Sequence, residues 1–147
     1  MFLFDIPTVE IARNIPLDRL WYFLPIGYLT TILIETPVLL LGLPRPVSFR
    51  QRILCGIWLT ACTYPVVALV LPALLLDYSR GAYLVVAETF APLAECILFL
   101  LAFRGRGQLV RNDWIRAFIA IVLANLASFG IGEILNYNQW FGIIGSL

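Results

Sequence analysis

The most constraining feature of this chain is a set of four apolar stretches, at residues 20–43, 53–76, 82–103 and 114–135. Each has about the 20 residues that an α-helix needs to cross a hydrocarbon core of roughly 30 Å. Inside a bilayer only helices and closed barrels satisfy the backbone polar groups. With 61% hydrophobic and 13% charged residues, the chain also lacks the polar surface of a soluble domain. The pattern predicts an all-α polytopic membrane protein with four transmembrane helices in one domain, residues 1–147.

The segments outside the predicted spans are short. Residues 1–19 include three acids and two prolines, which predicts an arm that either lies on the membrane surface as a brief amphipathic segment or is irregular. Residues 136–147 are too few to span again, and Trp140, Phe141 and Ile143 predict that this tail lies along the interface.

The distribution of arginine predicts the topology. All ten basic residues are arginine and histidine is absent. Most of them fall in the first and third connections, which contain Arg45, Arg50, Arg52, Arg104, Arg106 and Arg111. Because short arginine-rich loops stay cytoplasmic, both termini and the middle loop are predicted on the non-cytoplasmic side of a cell (inner) membrane.

The two halves of the chain share a polar pattern. Glu35 precedes a leucine run and an arginine loop, and the next span contains TACTYP at residues 60–65. Glu95 is placed similarly before NLASFG at residues 125–130. The alignment pairs Glu35 with Glu95, Thr60 with Asn125, Thr63 with Ser128, Tyr64 with Phe129 and Pro65 with Gly130. It predicts a tandem repeat of a helical hairpin, although a chance match between leucine-rich helices would give the same pattern.

These motifs together resemble a group of small bacterial four-helix membrane proteins of similar length. They are Glu-x-Pro-Val-Leu-Leu from residue 35, Thr-Tyr-Pro from 63, Ala-Glu-x6-Glu from 87 and Ala-Asn-Leu-Ala-Ser-Phe-x2-Gly from 124. The resemblance implies a four-helix membrane fold over most of the span region, and it carries no activity over to this chain. By analogy with Asn125, asparagine is expected at position 60, where this chain has threonine.

Eight polar residues within or at the ends of the spans are the candidate functional residues. They are Glu35, Thr60, Thr63, Glu88, Glu95, Asn125, Ser128 and Glu133. Intramembrane acids normally face a protein interior and mark a packing or functional site. Their depths predict that all of them except Glu88 and Glu133 could meet in one layer.

No arginine is close in sequence to the deeper acids. Glu35 is ten residues before Arg45, which is about 15 Å along a helix. A buried carboxylate without a cation is costly, so we expect Glu35 and Glu95 to be protonated at neutral pH and to donate hydrogen bonds. Arg80 is a candidate partner for Glu88 or Glu133.

Three prolines within the spans remove a helical hydrogen bond near these acids. The affected carbonyls are those of Leu33, Ala61 and Glu88, each four residues before a proline. Free carbonyls beside acids favour a site for a cation, a proton or ordered water, but such prolines also occur in membrane helices for structural reasons.

Small residues recur every fourth position in the last span, at Ala120, Ala124, Ser128 and Gly132. A stripe of small side chains lets two helices approach closely, either within one chain or between proteins. The spacing therefore predicts a helix-packing seam.

Several chemistries lack their usual residues. Without histidine there is no His-ligated haem, di-iron motif or Ser-His triad. Cys55, Cys62 and Cys96 have no CxxC spacing, so we expect neither a disulfide framework nor a zinc site. The sequence predicts no enzyme, metal, cofactor or nucleic-acid partner.

Three functions remain. The first is a non-catalytic integral membrane subunit that packs against larger membrane proteins through its glutamates and small residues. The alternative is a small proton or cation transporter or channel, as a homo-oligomer, with Glu35 and Glu95 as the titrating pair. A lipid-acting enzyme comes third, because no nucleophile accompanies the carboxyls. Membrane lipids surround the protein in every case.

Overall fold

The structure, a computed structural model, describes the backbone of residues 17–75 and 78–137 and the side chains of residues 24–75, 78–79 and 81–135. The predicted interfacial arm and tail lie almost entirely outside these residues. The described chain contains four long helices: α1, Leu17–Gly42; α2, Phe49–Pro65; α3, Arg80–Phe103; and α4, Arg111–Tyr137.

Two short helical segments complete the described part. The second span continues from α2 through a π-helix, Val66–Val70, into a last α-helical turn, Leu71–Leu74. A 3-10 turn, Arg104–Arg106, follows α3. Four helices are long and apolar enough to cross a membrane, which confirms the predicted all-α, four-helix membrane fold.

Each helix begins a few residues before its predicted span, because hydropathy reports the apolar core and polar caps start the helix. Ser48 caps α2 in a capping box with Gln51, and Ser79 accepts a hydrogen bond from the backbone of Ala82 at the start of α3. At the start of α4, Asp113 accepts from the backbone N–H of Val110. Capping satisfies helical N–H groups that have no partner in the first turn.

The outside of the bundle is apolar and its centre is polar. Leu33, Leu41 and Leu101 are 73%, 81% and 67% exposed, whereas Glu35 and Glu95 are buried. This arrangement inverts that of a soluble domain and suits a protein whose solvent is hydrocarbon. The chain is therefore a multi-pass membrane protein.

The four helices form a ring in which α1 packs against α2 and α4, and α3 packs against the same two helices. Near the arginine-rich loops the centre is filled by an apolar cluster that includes Leu39, Leu43, Leu59, Phe99 and Ile121. Leu39 and Phe99 each follow one of the buried glutamates by four residues, so the same helix face continues from acid to apolar core.

Two arginines fix the end of α1. Arg52 donates to the carbonyl oxygens of Leu40, Pro44 and Val47 at 2.7, 3.1 and 2.9 Å. Arg116, from α4, donates to the carbonyl of Gly42 at 2.8 Å. The last carbonyls of a helix have no donor within the helix. These two guanidinium groups therefore cap the C-terminal end of α1. They also hold the first and third connections at one end of the bundle.

Candidate functional site

Glu35 lies at the centre of the bundle and is bound from two sides. Its Oε2 is 2.7 Å from the Thr60 hydroxyl on α2, and its Oε1 is 2.8 Å from the Ser128 hydroxyl on α4. Its side chain is 2% exposed. One carboxyl on α1 thus joins both neighbouring helices.

Glu95 on α3 repeats this arrangement. Its Oε1 is 2.9 Å from the Thr63 hydroxyl on α2, and its Oε2 accepts a hydrogen bond from the Asn125 amide on α4 at 2.8 Å. The side chain is 1% exposed. We call the six side chains of Glu35, Thr60, Thr63, Glu95, Asn125 and Ser128 the polar network.

In the polar network, residues that the sequence pairs between the two halves make equivalent contacts. Within each hairpin the glutamate contacts the first residue of the matched motif on the next helix, Thr60 or Asn125. Across hairpins, Glu35 contacts Ser128 and Glu95 contacts Thr63, which is the matched position. The arrangement has an approximate two-fold symmetry, as the predicted hairpin repeat requires.

Each hydroxyl of the network lies between a carboxyl and a backbone carbonyl. The Thr60 oxygen is 2.7 Å from both Glu35 and the carbonyl of Gly56. Thr63 is similarly placed between Glu95 and the carbonyl of Leu59. A hydroxyl has one hydrogen and two lone pairs, so it donates to a carboxylate when the glutamate is ionised. When the glutamate is protonated, the hydroxyl accepts from it and donates to its own helix.

The network therefore accommodates both protonation states without a change of heavy-atom position. The same holds for Ser128, which is 2.9 Å from the carbonyl of Asn125 and 2.8 Å from Glu35. The Asn125 amide nitrogen can only donate, so the Oε2 of Glu95 must accept from it. A proton on Glu95 therefore lies on Oε1, which faces the Thr63 hydroxyl.

A cavity of about 150 Å³ borders the polar network on the side away from the arginine-rich loops. All four helices line it, and Glu35, Glu88, Tyr64 and Phe129 are among its walls. A polar cavity of this size has room for several water molecules. On the opposite side of the network the apolar cluster around Leu39 and Phe99 leaves the core closely packed.

Two of the eight candidate residues lie outside the network. Glu88 lines the cavity, half-buried, and interacts electrostatically with Glu35 and Glu133. Glu133 is half-buried toward the end of α4 and does not line this cavity. The side chain of Arg80, a candidate partner for either acid, lies outside the described residues.

Proline acts on the backbone beside the cavity. Pro65 cannot donate a backbone hydrogen bond, and the π-helix Val66–Val70 begins immediately after it. The Tyr83 hydroxyl donates to the carbonyl of Val67 in this segment at 3.0 Å. Among the described residues, no side chain donates to the carbonyls of Leu33, Ala61 or Glu88, which were predicted to be freed.

The small residues of α4 divide into two groups. Ala120 and Ala124 are buried, and a Cβ at Gly42 of α1 would come within 2.6 Å of the Ala120 Cβ. Ser128 belongs to the polar network. A Cβ at Gly132 would meet no atom of a described residue within 4 Å. The stripe is thus a seam with α1 only over its first part.

Sequence reasoning did not assign Tyr64 and Phe129 to the site, although it paired them in the repeat. Both line the cavity. The Tyr64 hydroxyl lies where a Cβ at Gly27 would be, so the glycine makes room for the ring. The aromatic residue directly after two of the three hydroxyl residues of the network, Thr63 and Ser128, was the signal that could have identified them.

Comparison with protein-family models, curated proteins and solved structures gives no match for this chain.

Proposed function

We propose that this membrane protein is a small transporter or channel for protons or small cations, in which Glu35 and Glu95 bind and release the transported ion. The observation that carries the proposal is the pair of buried carboxyls, each held between α2 and α4 by groups of the polar network. Buried ionisable groups in a membrane interior are costly and commonly mark ion pathways.

Protons are the favoured species because of the hydroxyls. A site that exchanges protons must be stable in both states, and Thr60, Thr63 and Ser128 can each turn one hydrogen between carboxyl and backbone. No described arginine contacts the network, so each carboxyl is best accommodated neutral and releases its proton only when a path to water exists.

The cavity supplies such a path on one side. Glu88 stands in its wall between the polar network and the end of the bundle away from the arginine-rich loops. The apolar cluster blocks the other side in this conformation, so passage requires the packing around Leu39 and Phe99 to open. This favours slow, gated transport over an open pore.

The test is proton flux in liposomes that contain the purified full-length chain and a trapped pH-sensitive dye. A potassium gradient with valinomycin sets the membrane potential. We expect flux above that of protein-free liposomes, and its loss in Glu35→Gln and in Glu95→Gln. Glu133→Gln is the matched control, because it makes the same chemical change outside the network, and it should retain flux.

The proposal fails if the wild-type chain gives the same flux as empty liposomes. If a sodium gradient, or a potassium gradient imposed without valinomycin, is dissipated while pH is constant, a cation rather than a proton is transported. The Gln variants must remain folded, which thermal unfolding in detergent will check.

An accessory membrane subunit is a second candidate, favoured by the open surface at Gly130 and Gly132. A Cβ at either position would meet no atom of a described residue within 4 Å, so the described helices leave room for a partner helix to approach α4 closely there. Glu35 and Glu95 are buried in the bundle interior and are not placed to contact a partner.

Native purification in mild detergent separates the two functions. A stable complex with another membrane protein that is lost in Gly132→Leu would favour the subunit, whereas a homo-oligomer with ion flux would favour the transporter. Gly132→Leu should leave the isolated chain folded, because a Cβ at this position meets no atom of a described residue within 4 Å.

A further inference from the structure

We propose that a groove beside the connection between α3 and α4 binds one anionic phospholipid, with the lipid phosphate at Arg104 and an acyl chain along Leu100 and Trp114. The groove lies at the arginine-rich end of the bundle, which the polar network does not reach, so lipid binding there does not depend on ion transport.

The groove has a volume of about 240 Å³. Its walls are Leu100, Phe103, Arg104, Gly107, Leu109 and Trp114. Gly107 has a φ of 60°, a left-handed conformation that favours glycine. The chain turns there, and Leu109 packs against the apolar core. The turn leaves a concave surface between the end of α3 and the start of α4.

The apolar wall of the groove is rigid. The Trp114 ring meets Phe99 edge-on, with centroids 5.9 Å apart, and Phe99 stacks on Phe103 at 4.5 Å. Leu100 is 36% exposed at the surface that faces lipid. Tryptophan prefers the boundary between headgroups and hydrocarbon, and the Trp114 indole N–H has no hydrogen-bond acceptor among the described residues.

The charge of the groove complements a phosphate. The Arg104 side chain makes no hydrogen bond or ion pair with any described residue. Arg52 and Arg116, by contrast, donate to backbone carbonyls at the C-terminal end of α1. Arg106 lies over the Phe103 ring, 5.1 Å from its centroid. Asp113, the first acid that follows these arginines in the sequence, accepts from the backbone of Val110. Positive charge is therefore left available at the membrane surface.

A lipid fits better than a free phosphate because the groove has two parts. The guanidinium end attracts an anionic headgroup, and the leucine and tryptophan wall continues into the hydrocarbon region. Basic pockets between transmembrane helices bind anionic headgroups by this combination. A free phosphate would leave the apolar wall without an occupant.

The test counts lipids that stay bound to the full-length chain when it is released from nanodiscs and examined by native mass spectrometry. The discs contain phosphatidylcholine with added phosphatidylglycerol. We expect one phosphatidylglycerol to be retained in preference to phosphatidylcholine, and Arg104→Gln to weaken that retention about fivefold. Arg45→Gln removes an arginine from the other connection at the same end and should have little effect.

A second variant tests the apolar wall without altering charge. Leu100→Trp fills the groove at an exposed position and should displace the lipid while Arg104 remains. Soluble glycerol phosphate should not compete, because it lacks an acyl chain. Equal loss in Arg104→Gln and Arg45→Gln, retention in Leu100→Trp, or competition by glycerol phosphate would each overturn the proposal.

Discussion

The Ser128 hydroxyl lies 2.8 Å from the Glu35 carboxyl, which joins residues 93 positions apart at the centre of the bundle. This contact links the first helix to the last, while Thr60 links Glu35 to the second. Because α1 packs against both neighbours and α3 does the same through Glu95, the polar network ties all four helices at one depth. Loss of the hydrogen-bonding group at either glutamate is therefore expected to affect the packing of three helices.

Replacing Glu95 with glutamine should leave stability nearly unchanged. The amide oxygen can accept from Asn125, and the amide nitrogen can donate to the Thr63 hydroxyl, which then donates to Leu59. Glu95→Leu removes the interhelical hydrogen bonds to Thr63 and Asn125, which keep only the bonds within their own helices, and should cost about 1 kcal/mol. Thermal unfolding in detergent measures the difference, and equal melting temperatures for the two variants would contradict the described contacts.

Removing the Thr63 hydroxyl should impair both stability and proton flux. Thr63→Val keeps the shape of the side chain but removes the group between Glu95 and the carbonyl of Leu59. Thr89→Val is the matched control, since Thr89 is exposed and bonds only the carbonyl of Val85 on its own helix. If the two variants behave alike in unfolding and in liposomes, the hydroxyl has no role in the network.

The crossing of α1 and α2 depends on Gly56. A Cβ there would lie 2.3 Å from the Thr36 Oγ1 and 3.0 Å from the Thr36 Cα, so Gly56→Ala forces the helices apart. We expect destabilisation of roughly 1–3 kcal/mol, as for other overpacked cores.

Gly132→Ala provides the comparison, because its Cβ would enter open space. This variant should be neutral or more stable by about 0.5–1 kcal/mol, the gain in helix propensity over glycine. Denaturant titration of both proteins checks the order, and a less stable Gly132→Ala would show that α4 has a neighbour at this position.

The orientation in the membrane remains a prediction from the arginine loops. Single cysteines at Ser48 and Ser79, in a chain without its own cysteines, should be labelled from the cytoplasmic side and from the opposite side, respectively. The structure holds the two arginine-rich connections at one end, through Arg116 and Gly42. Labelling of both cysteines from one side would contradict the fold, and exchanged sides would reverse the orientation.

The sequence was most informative about features that depend on one continuous segment of the chain. The four spans could be predicted because helix formation in hydrocarbon depends on the length and polarity of a continuous segment. The pairing of the two halves also followed from residue types, and the contacts of Glu35 and Glu95 follow the same pairing. The helix starts at the cap residues Ser48 and Ser79 were not predicted, because hydropathy reports the apolar core and not the polar residues that begin a helix.

Spacing along one helix was less informative about its neighbours. Glu88 and Glu95 share a face of α3, but seven residues separate them by about 10 Å along the axis. Glu88 therefore lies in the cavity wall, whereas only Glu95 enters the network. Residues spaced by four drift about 40° around a helix at each step, so the stripe on α4 turns away from α1 before Gly132.

The sequence by itself determined that this chain is a helical membrane protein and which polar residues the bilayer cannot solvate. Only the tertiary structure decided which donors bind each carboxyl, where the cavity lies and which arginines cap the C-terminal end of α1. The reason is physical: the cost of a buried carboxyl depends on its own chemistry, but the relief of that cost depends on where three other helices place their hydroxyl and amide groups.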